Sequence, residues 1–448
     1  MSKIVFNQRS DFKLNRYKWS YRLMVFIGIG LSLFVFGCGS DEDDNPKSIT
    51  EDTLIDDENI VLLQGELTED TTLTSDYNYL LRGAVFVIDG VTLTIEPGVT
   101  IYGEQAQNGT LIINQGGKIM AEGTADAPIV MTSDAFIGFR GRGQWGGLII
   151  NGKAPTNQGV TYGEGDTGTF GGTDPNDSSG VLRYVRIEYA GIEFSPDNEL
   201  NGIALQGVGS GTVIEYVQVH MNQDDGIEMY GGTVNLKYIL ITGARDDSFD
   251  WTDGWTGKGQ FWVVQQYGDD ADNGFENDNS SKNNEATPRS APTIYNATLV
   301  GDPTDGKKSD NGMLIREGAA GMYANFIVTG FKKVGLDINN ASTHKQANDG
   351  NLVVKNSIFF ENGKANFGDE KDDDGFDEAA WVKGYDNYEI DPKLTDAFNK
   401  DNPNFTSGAT GITVASPPSD DFFEAVNFIG GVSPLNNWTQ GWTTSDRN

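Results

Sequence analysis

The sequence has very little of the two residue types that most often bind zinc or form a nucleophile–base pair. It contains one cysteine, Cys38, and two histidines, His220 and His344, in 448 residues. A single cysteine excludes an intrachain disulfide, so a packed core or bound ions must stabilise the chain. The sequence also lacks a glycine-rich phosphate loop, a zinc-type ligand cluster and a supported serine triad.

Basic residues are scarce as well. Lysine and arginine total 32 against 65 aspartates and glutamates, which gives a formal net charge of -33. A body this acidic repels nucleic acid and attracts divalent cations, so we predict no nucleic-acid partner. The hydrophobic content of 37% is that of a globular protein rather than a disordered one.

The only long apolar run lies near the N-terminus. A basic leader precedes apolar residues 23–36, and Gly37 and Cys38 follow. This run is shorter than the roughly 20 residues of a transmembrane helix. A charged leader, an apolar segment and a small residue predict a secretory signal peptide over residues 1–37.

Cys38 and the residues after it resemble two known export signals. Gly37-Cys38 resembles the lipobox of bacterial lipoproteins, in which the cysteine is acylated, and the acidic residues 41–44 resemble the signal that sends lipoproteins of Bacteroidetes-type bacteria to the cell surface. These resemblances imply a lipid anchor on Cys38, an acidic tether over residues 38–60 and a location on the extracellular face of the outer membrane. The alternatives are an uncleaved membrane anchor or a signal whose cysteine is incidental and, for the acidic residues, a solvated linker.

A repeat of 22 residues organises the middle of the chain. Apolar segments 217–220, 239–242 and 261–264 are each followed by an aspartate-rich corner. Such a period predicts an all-β solenoid. The leucine framework of leucine-rich repeats is missing and propeller blades are about twice as long, so a parallel β-helix remains. We expect one domain over residues 61–448, with about 22 residues per coil, inserted loops and a C-terminal cap.

Several segments resemble a family of Bacteroidetes cell-surface lipoproteins with a right-handed parallel β-helix. The resembling segments are residues 94–98, 121–129, 145–150, 185–191, 224–232, 249–257 and 437–443. The resemblance covers most of residues 60–448 and implies the handedness of the fold and the surface location, but no particular reaction or ligand. Members of the family often resemble accessory components of TonB-dependent transporters or other outer-membrane assemblies, which implies a β-barrel partner.

The aspartate-rich corners indicate a cation site. A 22-residue repeat predicts two stacked columns: Asp225, Asp247 and Asp269, and Glu228, Asp250 and Asp272. Adjacent coils lie about 4.8 Å apart, and two carboxylates near 5 Å repel by about 3 kcal/mol at an effective dielectric of 20. A calcium ion held by carboxylate oxygens offsets this repulsion, so we predict a structural Ca²⁺ at these six residues. The alternatives are solvated turn residues and partial compensation by Arg245.

The same corners also allow an enzymatic interpretation. Asp224 and Asp225 resemble the paired aspartates of β-helical polysaccharide hydrolases, in which one carboxyl is the general acid and the other activates water. The histidine–glycine motif that supports such a pair is absent. Calcium-dependent polysaccharide lyases of this fold use an arginine or lysine as the base, and Arg245, Arg186 and Arg316 are the candidates, none of which the spacing singles out.

Tryptophans near the corners are candidates for contacts with sugars or proteins. We predict that Trp255 is exposed and contacts a ligand or partner. Trp251 and Trp262 are expected to fill the coil interior, and Trp438 and Trp442 to cap an open end of the solenoid.

The sequence favours a non-enzymatic surface lipoprotein that acts as an accessory or binding subunit of a TonB-dependent transporter or another outer-membrane complex. The second hypothesis is a calcium-dependent lyase or hydrolase of acidic polysaccharide, with Asp224, Asp225 and Arg245 in the active site and glycans as ligands. The third is a structural or adhesive surface protein. We expect no cofactor besides the structural Ca²⁺.

Overall fold

The computed structural model describes residues 59–195, 198–304, 308–368 and 375–448. The chain divides into two units, residues 1–50 and 51–448, and every described residue belongs to the second. The predicted signal peptide, the acylated Cys38 and nearly all of the predicted tether lie outside the described residues. Within the described part of the chain, no helix has the length and apolar character needed to cross a membrane.

Most of the strands join one continuous parallel sheet of 25 strands. The strands of this sheet are β1 (Ile60–Leu67), β2 (Thr71–Leu73), β3 (Asn78–Val87), β4 (Thr92–Ile95), β5 (Thr100–Gly103), β6 (Thr110–Ile113), β7 (Lys118–Glu122), β8 (Ile129–Ser133), β9 (Gly147–Asn151), β12 (Gly180–Glu188), β15 (Ile203–Gln206), β16 (Val213–His220), β17 (Ile227–Tyr230), β18 (Asn235–Thr242), β19 (Phe249–Thr252), β20 (Lys258–Gln265), β21 (Phe275–Asn277), β22 (Thr293–Val300), β23 (Met313–Ile315), β24 (Gly321–Ala324), β25 (Ile327–Thr329), β26 (Val334–Ile338), β27 (Leu352–Lys355), β28 (Ile358–Phe360) and β29 (Ala365–Phe367).

The other elements are short and lie outside this sheet. Three antiparallel pairs are β10 (Thr161–Tyr162) with β11 (Thr169–Phe170), β13 (Glu193–Ser195) with β14 (Asn198–Glu199), and β30 (Leu394–Asp396) with β31 (Asn404–Ser407). The described ranges also contain two α-helices, which the sequence did not predict, α1 (Ala341–Asn348) and α2 (Glu378–Trp381). The 3₁₀ turns that lie wholly within the described ranges span Gln105–Gln107, Glu164–Asp166 and Val382–Tyr385.

The strands of the parallel sheet stack on three faces of a solenoid. Face 1 contains β2, β4, β7, the first halves of β12, β16, β18, β20 and β22, and then β24 and β27. Face 2 contains the first half of β3, β5, β8, the second halves of the same long strands, and then β25 and β28. Face 3 contains the second half of β3, β6, β9, β15, β17, β19, β21, β23, β26 and β29. The predicted right-handed parallel β-helix is confirmed.

Apolar side chains at equivalent positions form the core. On face 3, Leu148, Ile203, Ile227, Phe249 and Phe275 occupy successive strands in register. All five are fully buried. Burying one such side chain contributes about 1.5–3 kcal/mol to the free energy of unfolding. The inward-facing side chains, at alternate positions of these short strands, therefore hold the coils together.

The coil length is 22 residues only in the middle of the chain. Glu228 pairs with Asp250, Asp250 with Glu276, and Glu276 with Leu314. The repeat therefore grows from 22 to 26 and then to 38 positions, because loops are inserted at the corners. The predicted repeat holds for the first of these three steps and fails after it.

Within each of the long strands β12, β16, β18 and β20, a single residue with left-handed backbone makes the turn from face 1 to face 2. Tyr184, Tyr216, Tyr238 and Phe261 have φ values of 50°, 55°, 59° and 60°. This conformation costs about 1–2 kcal/mol for a residue with a Cβ atom. Their rings stack with centroids 4.5, 4.3 and 4.9 Å apart, which offsets the cost. We call these four residues the aromatic ladder.

Residues 397–446, the C-terminal strap, run back along the aromatic ladder. Trp438 and Trp442 are buried and present their ring edges or faces at steep angles to the stacked tyrosines. The indole N–H of Trp442 donates to the main-chain oxygen of Trp438 at 2.8 Å. The prediction that these tryptophans cap an open end is wrong, because they cover the flank of the solenoid.

Candidate cation site on face 3

The corner between face 2 and face 3 carries a ladder of aspartates and asparagines. The equivalent residues in five successive coils are Asn201, Asp225, Asp247, Asn273 and Asn311. The backbone N–H of Asp247 donates to Oδ1 of Asp225 at 2.9 Å, and the N–H of Asn273 donates to Oδ1 of Asp247 at 2.6 Å. We call this set the corner ladder. The side chains of Asp225, Asp247 and Asn273 each accept a bond from the next coil, a role that aspartate and asparagine share.

Asp269 is not part of the corner ladder. The step from Asp225 to Asp247 is 22 positions, whereas the step from Asp247 to Asn273 is 26. The longer corner moves Asp269 outward, where its carboxylate pairs with Arg142 at 2.5 Å. The predicted stacking is therefore confirmed for Asp225 and Asp247 and wrong for Asp269.

A second acidic column lies on face 3 itself. Glu228, Asp250 and Glu276 occupy adjacent strands in register, and we call them the carboxylate row. The predicted third member, Asp272, lies at the corner instead, where its backbone N–H donates to the main-chain oxygen of Asp246. The same inserted residues cause this error.

The carboxylate row and the corner approach each other closely. Their carboxyl oxygens form four overlapping groups, each with one oxygen per residue, in which the three oxygens lie within 4.8 Å of one another. The groups are Asp224, Asp225 and Asp246; Asp225, Glu228 and Asp250; Asp246, Asp247 and Asp272; and Asp247, Asp250 and Glu276. Five of the six predicted ligands belong to these groups, and Asp269 does not.

Burial and mutual repulsion raise the pKa of the central carboxyls well above their ordinary values. Burial is the largest cause at each of them, followed by the charges of neighbouring carboxylates. These carboxyls are Asp225, Glu228, Asp247 and Asp250. The raised pKa means that, without a cation, the cluster retains protons at a pH where free carboxyls are ionised.

The outer carboxyls show the same effect in a milder form. Burial and the charge of Asp246 raise the pKa of Asp224 to about 7. Burial raises the pKa of Glu276 to about 7 against the lowering effect of Arg316. The pKa of Asp272 is raised to about 6, mainly by burial.

Basic side chains compensate only the edge of the cluster. The edge pairs are Arg316 with Glu276 and Asp278, and Arg245 and Lys308 with Asp270. In the part of the chain that the structure describes, no lysine or arginine forms an ion pair with Asp225, Glu228, Asp247 or Asp250. The centre of the cluster is therefore uncompensated.

Two buried oxygens at this centre have no hydrogen-bond donor, namely Oδ1 of Asp250 and Oδ1 of Asn201. Asn201 is 2% exposed, and its Nδ2 donates to Oε2 of Glu228 at 2.6 Å, so the amide lies against the carboxylate row. A buried polar atom without a partner costs about 1–3 kcal/mol. Ca²⁺ takes oxygen ligands. The carboxylates and the unpartnered oxygens of Asp250 and Asn201 therefore form a set of ligand atoms that fits this ion.

An open cleft of about 560 Å³ lies over the corner. It is lined by Glu193, Glu199, Gln223, Asp224, Arg245, Asp246, Asp270 and Lys308. The side chain of Arg245 is 44% exposed there, and Asp225 is buried. The structure thus brings Asp224 and Arg245 to one solvent-accessible cleft, with the carboxylate cluster beside it.

The other predicted site residues lie elsewhere. Trp255 is fully buried, and its Nε1–H donates to the main-chain oxygen of Val234 at 3.1 Å, so its predicted exposure is wrong. Trp251 and Trp262 fill the interior as predicted. Arg186 lies on face 2, where it bonds to Glu188 and to the strap.

Sequence reasoning missed Glu276, Asn201 and Arg142. A local signal for Glu276 exists, since an apolar residue followed by an acid recurs in Ile227-Glu228, Phe249-Asp250 and Phe275-Glu276 regardless of the loop between them. Arg142 has no such signal, because 127 positions separate it from Asp269.

Comparison with protein-family models agrees with this fold. The model of a pectate-lyase-like β-helix domain matches residues 65–443, which hold nearly all three faces, the corner ladder and the carboxylate row. The chain belongs to this family. No curated protein and no solved structure matches it. Membership of the pectate-lyase-like β-helix family accounts for the solenoid, while the cation, the ligand and the location in the cell rest on the residues themselves.

Proposed function

We propose that this protein binds Ca²⁺ at the carboxylate row and corner and uses the cation to bind an acidic polysaccharide. The uncompensated, buried carboxylates around the unpartnered Oδ1 of Asp250 carry this proposal. Asp225, Glu228 and Asp250 would hold the ion, and the amide oxygen of Asn201 lies close by. The bound ion would neutralise the cluster and attract carboxylate groups of the polysaccharide.

The cleft supports an anionic glycan as the ligand. Arg245 and Lys308 line the cleft, and their side chains are 44% and 52% exposed. Both form ion pairs with Asp270 at the rim. Arginine and lysine are the side chains that bind carboxylates by charge-assisted hydrogen bonds. A neutral glycan would gain nothing from these residues or from the cation.

Cleavage of the bound polysaccharide by β-elimination is the second candidate, because Asp224 and Arg245 share the cleft. In that reaction a base takes the proton from the carbon beside the uronate carboxyl group. The bond from the next carbon to the glycosidic oxygen breaks, a carbon–carbon double bond forms, and the leaving oxygen takes a proton. Arg245 would be the base, and Asp224, with its pKa near 7, would protonate the leaving oxygen. The ion pair of Arg245 with Asp270 opposes this role, so binding is the primary proposal.

Polysaccharide binding of the mature protein, with calcium or with chelator, tests this function. We expect retardation on uronate polymers in calcium, loss of it in chelator, and no retardation on neutral polymers. Glu228→Gln with Asp250→Asn should abolish the retardation, while Asp126→Asn, at an exposed acid, should not. Calcium-independent retardation would refute the cation's role. Appearance of the ultraviolet absorbance of an unsaturated sugar would establish cleavage, and its loss in Arg245→Gln would identify the base.

We also propose that the chain is a lipoprotein anchored through Cys38 on the extracellular face of the outer membrane, where it acts as an accessory subunit beside a β-barrel protein. The signal-like leader and Cys38 support the anchor, and an exposed apolar loop tip at Phe136, Ile137 and Phe139 supports a protein partner. Cys38→Ser should release the protein from the membrane fraction and abolish labelling by a palmitate analogue. Labelling that persists in this variant would refute the anchor.

A further inference from the structure

The loop between β8 and β9 presents apolar side chains to solvent. Phe136, Ile137 and Phe139 are 45%, 79% and 78% exposed. No other four-residue stretch in the described ranges exposes three large hydrophobic side chains. We call residues 134–144 the finger. An apolar cluster of this kind on a strongly acidic protein marks a binding surface rather than ordinary surface variation.

Hydrogen bonds within the finger fix the shape of its tip. The backbone N–H of Phe139 donates to the main-chain oxygen of Phe136 at 2.9 Å, and Nε of Arg140 donates to that of Ala135 at 3.0 Å. The side chain of Gln144 donates to the oxygen of Phe139 at 3.0 Å. A tip held in this way loses little conformational freedom on binding, which favours affinity.

Arg142 fastens the finger to the solenoid. Its Nε donates to the main-chain oxygen of Gly243 at 2.8 Å, and its guanidinium pairs with Asp269 at 2.5 Å. The backbone N–H of Gly143 donates to the oxygen of Ala190 at 2.9 Å. These contacts reach the corners of later coils, so the exposed tip belongs to an anchored projection.

We propose that the finger is a docking element that inserts Phe136, Ile137 and Phe139 into an apolar pocket of a partner protein whose surrounding surface is basic. This inference deepens the accessory-subunit role proposed above and rests on it. Buried aromatic anchors of this kind supply most of the binding energy at protein interfaces. The finger itself carries Asp134, Arg140 and Arg142, so the partner's basic surface would face the body beyond the finger, where charge complementarity applies because acidic residues of the chain outnumber basic ones by 65 to 32.

Two other occupants fit the finger less well. A bilayer with anionic head groups would repel so acidic a body. Sugar rings stack on flat aromatic faces, which Phe136 and Phe139 have, but Ile137 between them has none and is as exposed as Phe139. Both occupants are outcomes of the experiment that follows.

The experiment places a photo-crosslinking amino acid at Ile137 of the natively anchored protein, and at Leu435 in a matched control. Leu435 is 98% exposed and lies in the C-terminal strap. We expect a discrete protein adduct from position 137 alone, on an apolar segment flanked by lysine or arginine. The adduct partner is then purified and titrated with the wild type and with a variant carrying Phe136→Ser, Ile137→Ser and Phe139→Ser. We expect binding at least 30-fold weaker in the variant, an unchanged thermal midpoint, and weaker wild-type binding at high salt.

The outcomes separate the finger from the wider proposals. Adducts with lipid alone, equal capture from both positions, or capture of a partner that binds wild type and triple variant equally would overturn the docking role. If the triple variant also lost retardation on uronate polymers, the finger would belong to the glycan site. A partner that co-purifies equally with the triple variant would leave the subunit role intact, whereas no partner for the wild type would overturn both.

Discussion

The aromatic ladder and the carboxylate row both arise from the stacking of equivalent residues, but stacking has opposite effects on the stability of the two. Both place similar side chains at equivalent positions of consecutive coils. The rings of the aromatic ladder stack 4.3–4.9 Å apart and are covered by the strap, with Trp438 and Trp442 against them. The carboxylate row gathers charges that no basic residue of the described chain offsets at its centre. Stacking therefore stabilises the first and destabilises the second.

This difference separates a feature that stabilises the fold from one that reduces its stability. Aromatic rings gain from one another at the coil spacing, whereas carboxylates at that spacing repel and raise each other's pKa. The buried, unpartnered Oδ1 of Asp250 adds a further cost. A fold that needed only a stable face would place apolar or amide side chains there, as the corner ladder does at Asn273 and Asn311. The carboxylate row is explained if a cation occupies it.

Removing a tryptophan of the strap uncovers the aromatic ladder and has the largest expected effect on stability. Trp442→Ala should lower the free energy of unfolding by about 3–5 kcal/mol, because it deletes a buried indole. Thermal or denaturant unfolding measures the change, and Leu435→Ala, at a 98% exposed site, should cause almost none. Equal effects of the two substitutions would contradict the assigned role of the strap.

Adding calcium should offset the repulsion within the carboxylate row. At a free concentration one hundred times the dissociation constant, binding should stabilise the protein by about 2.7 kcal/mol. The thermal midpoint in calcium should exceed that in chelator at pH 8, and magnesium should be less effective because it demands stricter geometry. A midpoint that calcium leaves unchanged would refute the site.

The pH dependence in chelator follows from the raised pKa values. The folded carboxyls Asp224 and Glu276 lose their protons near pH 7, whereas unfolded carboxyls lose theirs near pH 4. The stability that these protons provide is present at low pH and is lost as pH rises from about 4 through about 7. The thermal midpoint in chelator should therefore fall between pH 5 and pH 8, and the benefit of calcium should grow over the same range. A midpoint that rises with pH in chelator would contradict the raised pKa values.

Neutralising one charge of the carboxylate row has a smaller effect of opposite sign. In chelator at pH 8, Asp250→Asn should raise stability by about 1–2 kcal/mol, because it removes repulsion and supplies a donor. In calcium the same variant should lose most of the calcium-dependent gain. A variant that is less stable than wild type in chelator would show that Asp250 has a structural role instead.

The smallest effect is expected from a hydroxyl in the aromatic ladder. Tyr216→Phe keeps both stacked contacts, so stability should change by less than about 1 kcal/mol. Tyr216→Ala removes the ring and should cost several times more. If the two variants were equally destabilised, ring stacking would not be the source of the ladder's stability.

The sequence predicts the fold because the β-helix repeats its pattern within the chain. Segments 217–220 and 239–242 do stack on face 2, and Trp251 and Trp262 do fill the interior. The third stretch in this stack is 262–265, one position later than the 22-residue repeat predicts, because Phe261 makes the turn. The repeat predicts the contacts of Asp225 with Asp247 and of Glu228 with Asp250 for the same reason. Periodicity is a local property, so it is readable wherever coils have equal length.

The errors arise where coils change length or where distant segments meet. The longer third corner moves Asp269 and Asp272 out of the columns and puts Asn273 and Glu276 in them. Trp255 follows a glycine turn that suggests exposure, yet its ring packs inside beside Trp251 and Trp262. The finger's attachment to Asp269 joins residues with no shared sequence pattern.

Calorimetric titration of calcium into the metal-free protein at pH 6.5 tests the central claim most directly. The pKa of Glu276 is raised to about 7, and those of Glu228 and Asp250 are raised well above their ordinary values, so calcium binding to the row is expected to displace protons. We expect saturable binding whose heat depends on the ionisation enthalpy of the buffer, and loss of that binding in the Glu228→Gln, Asp250→Asn double variant. Absence of binding, or binding that the double variant retains without proton release, would contradict the account.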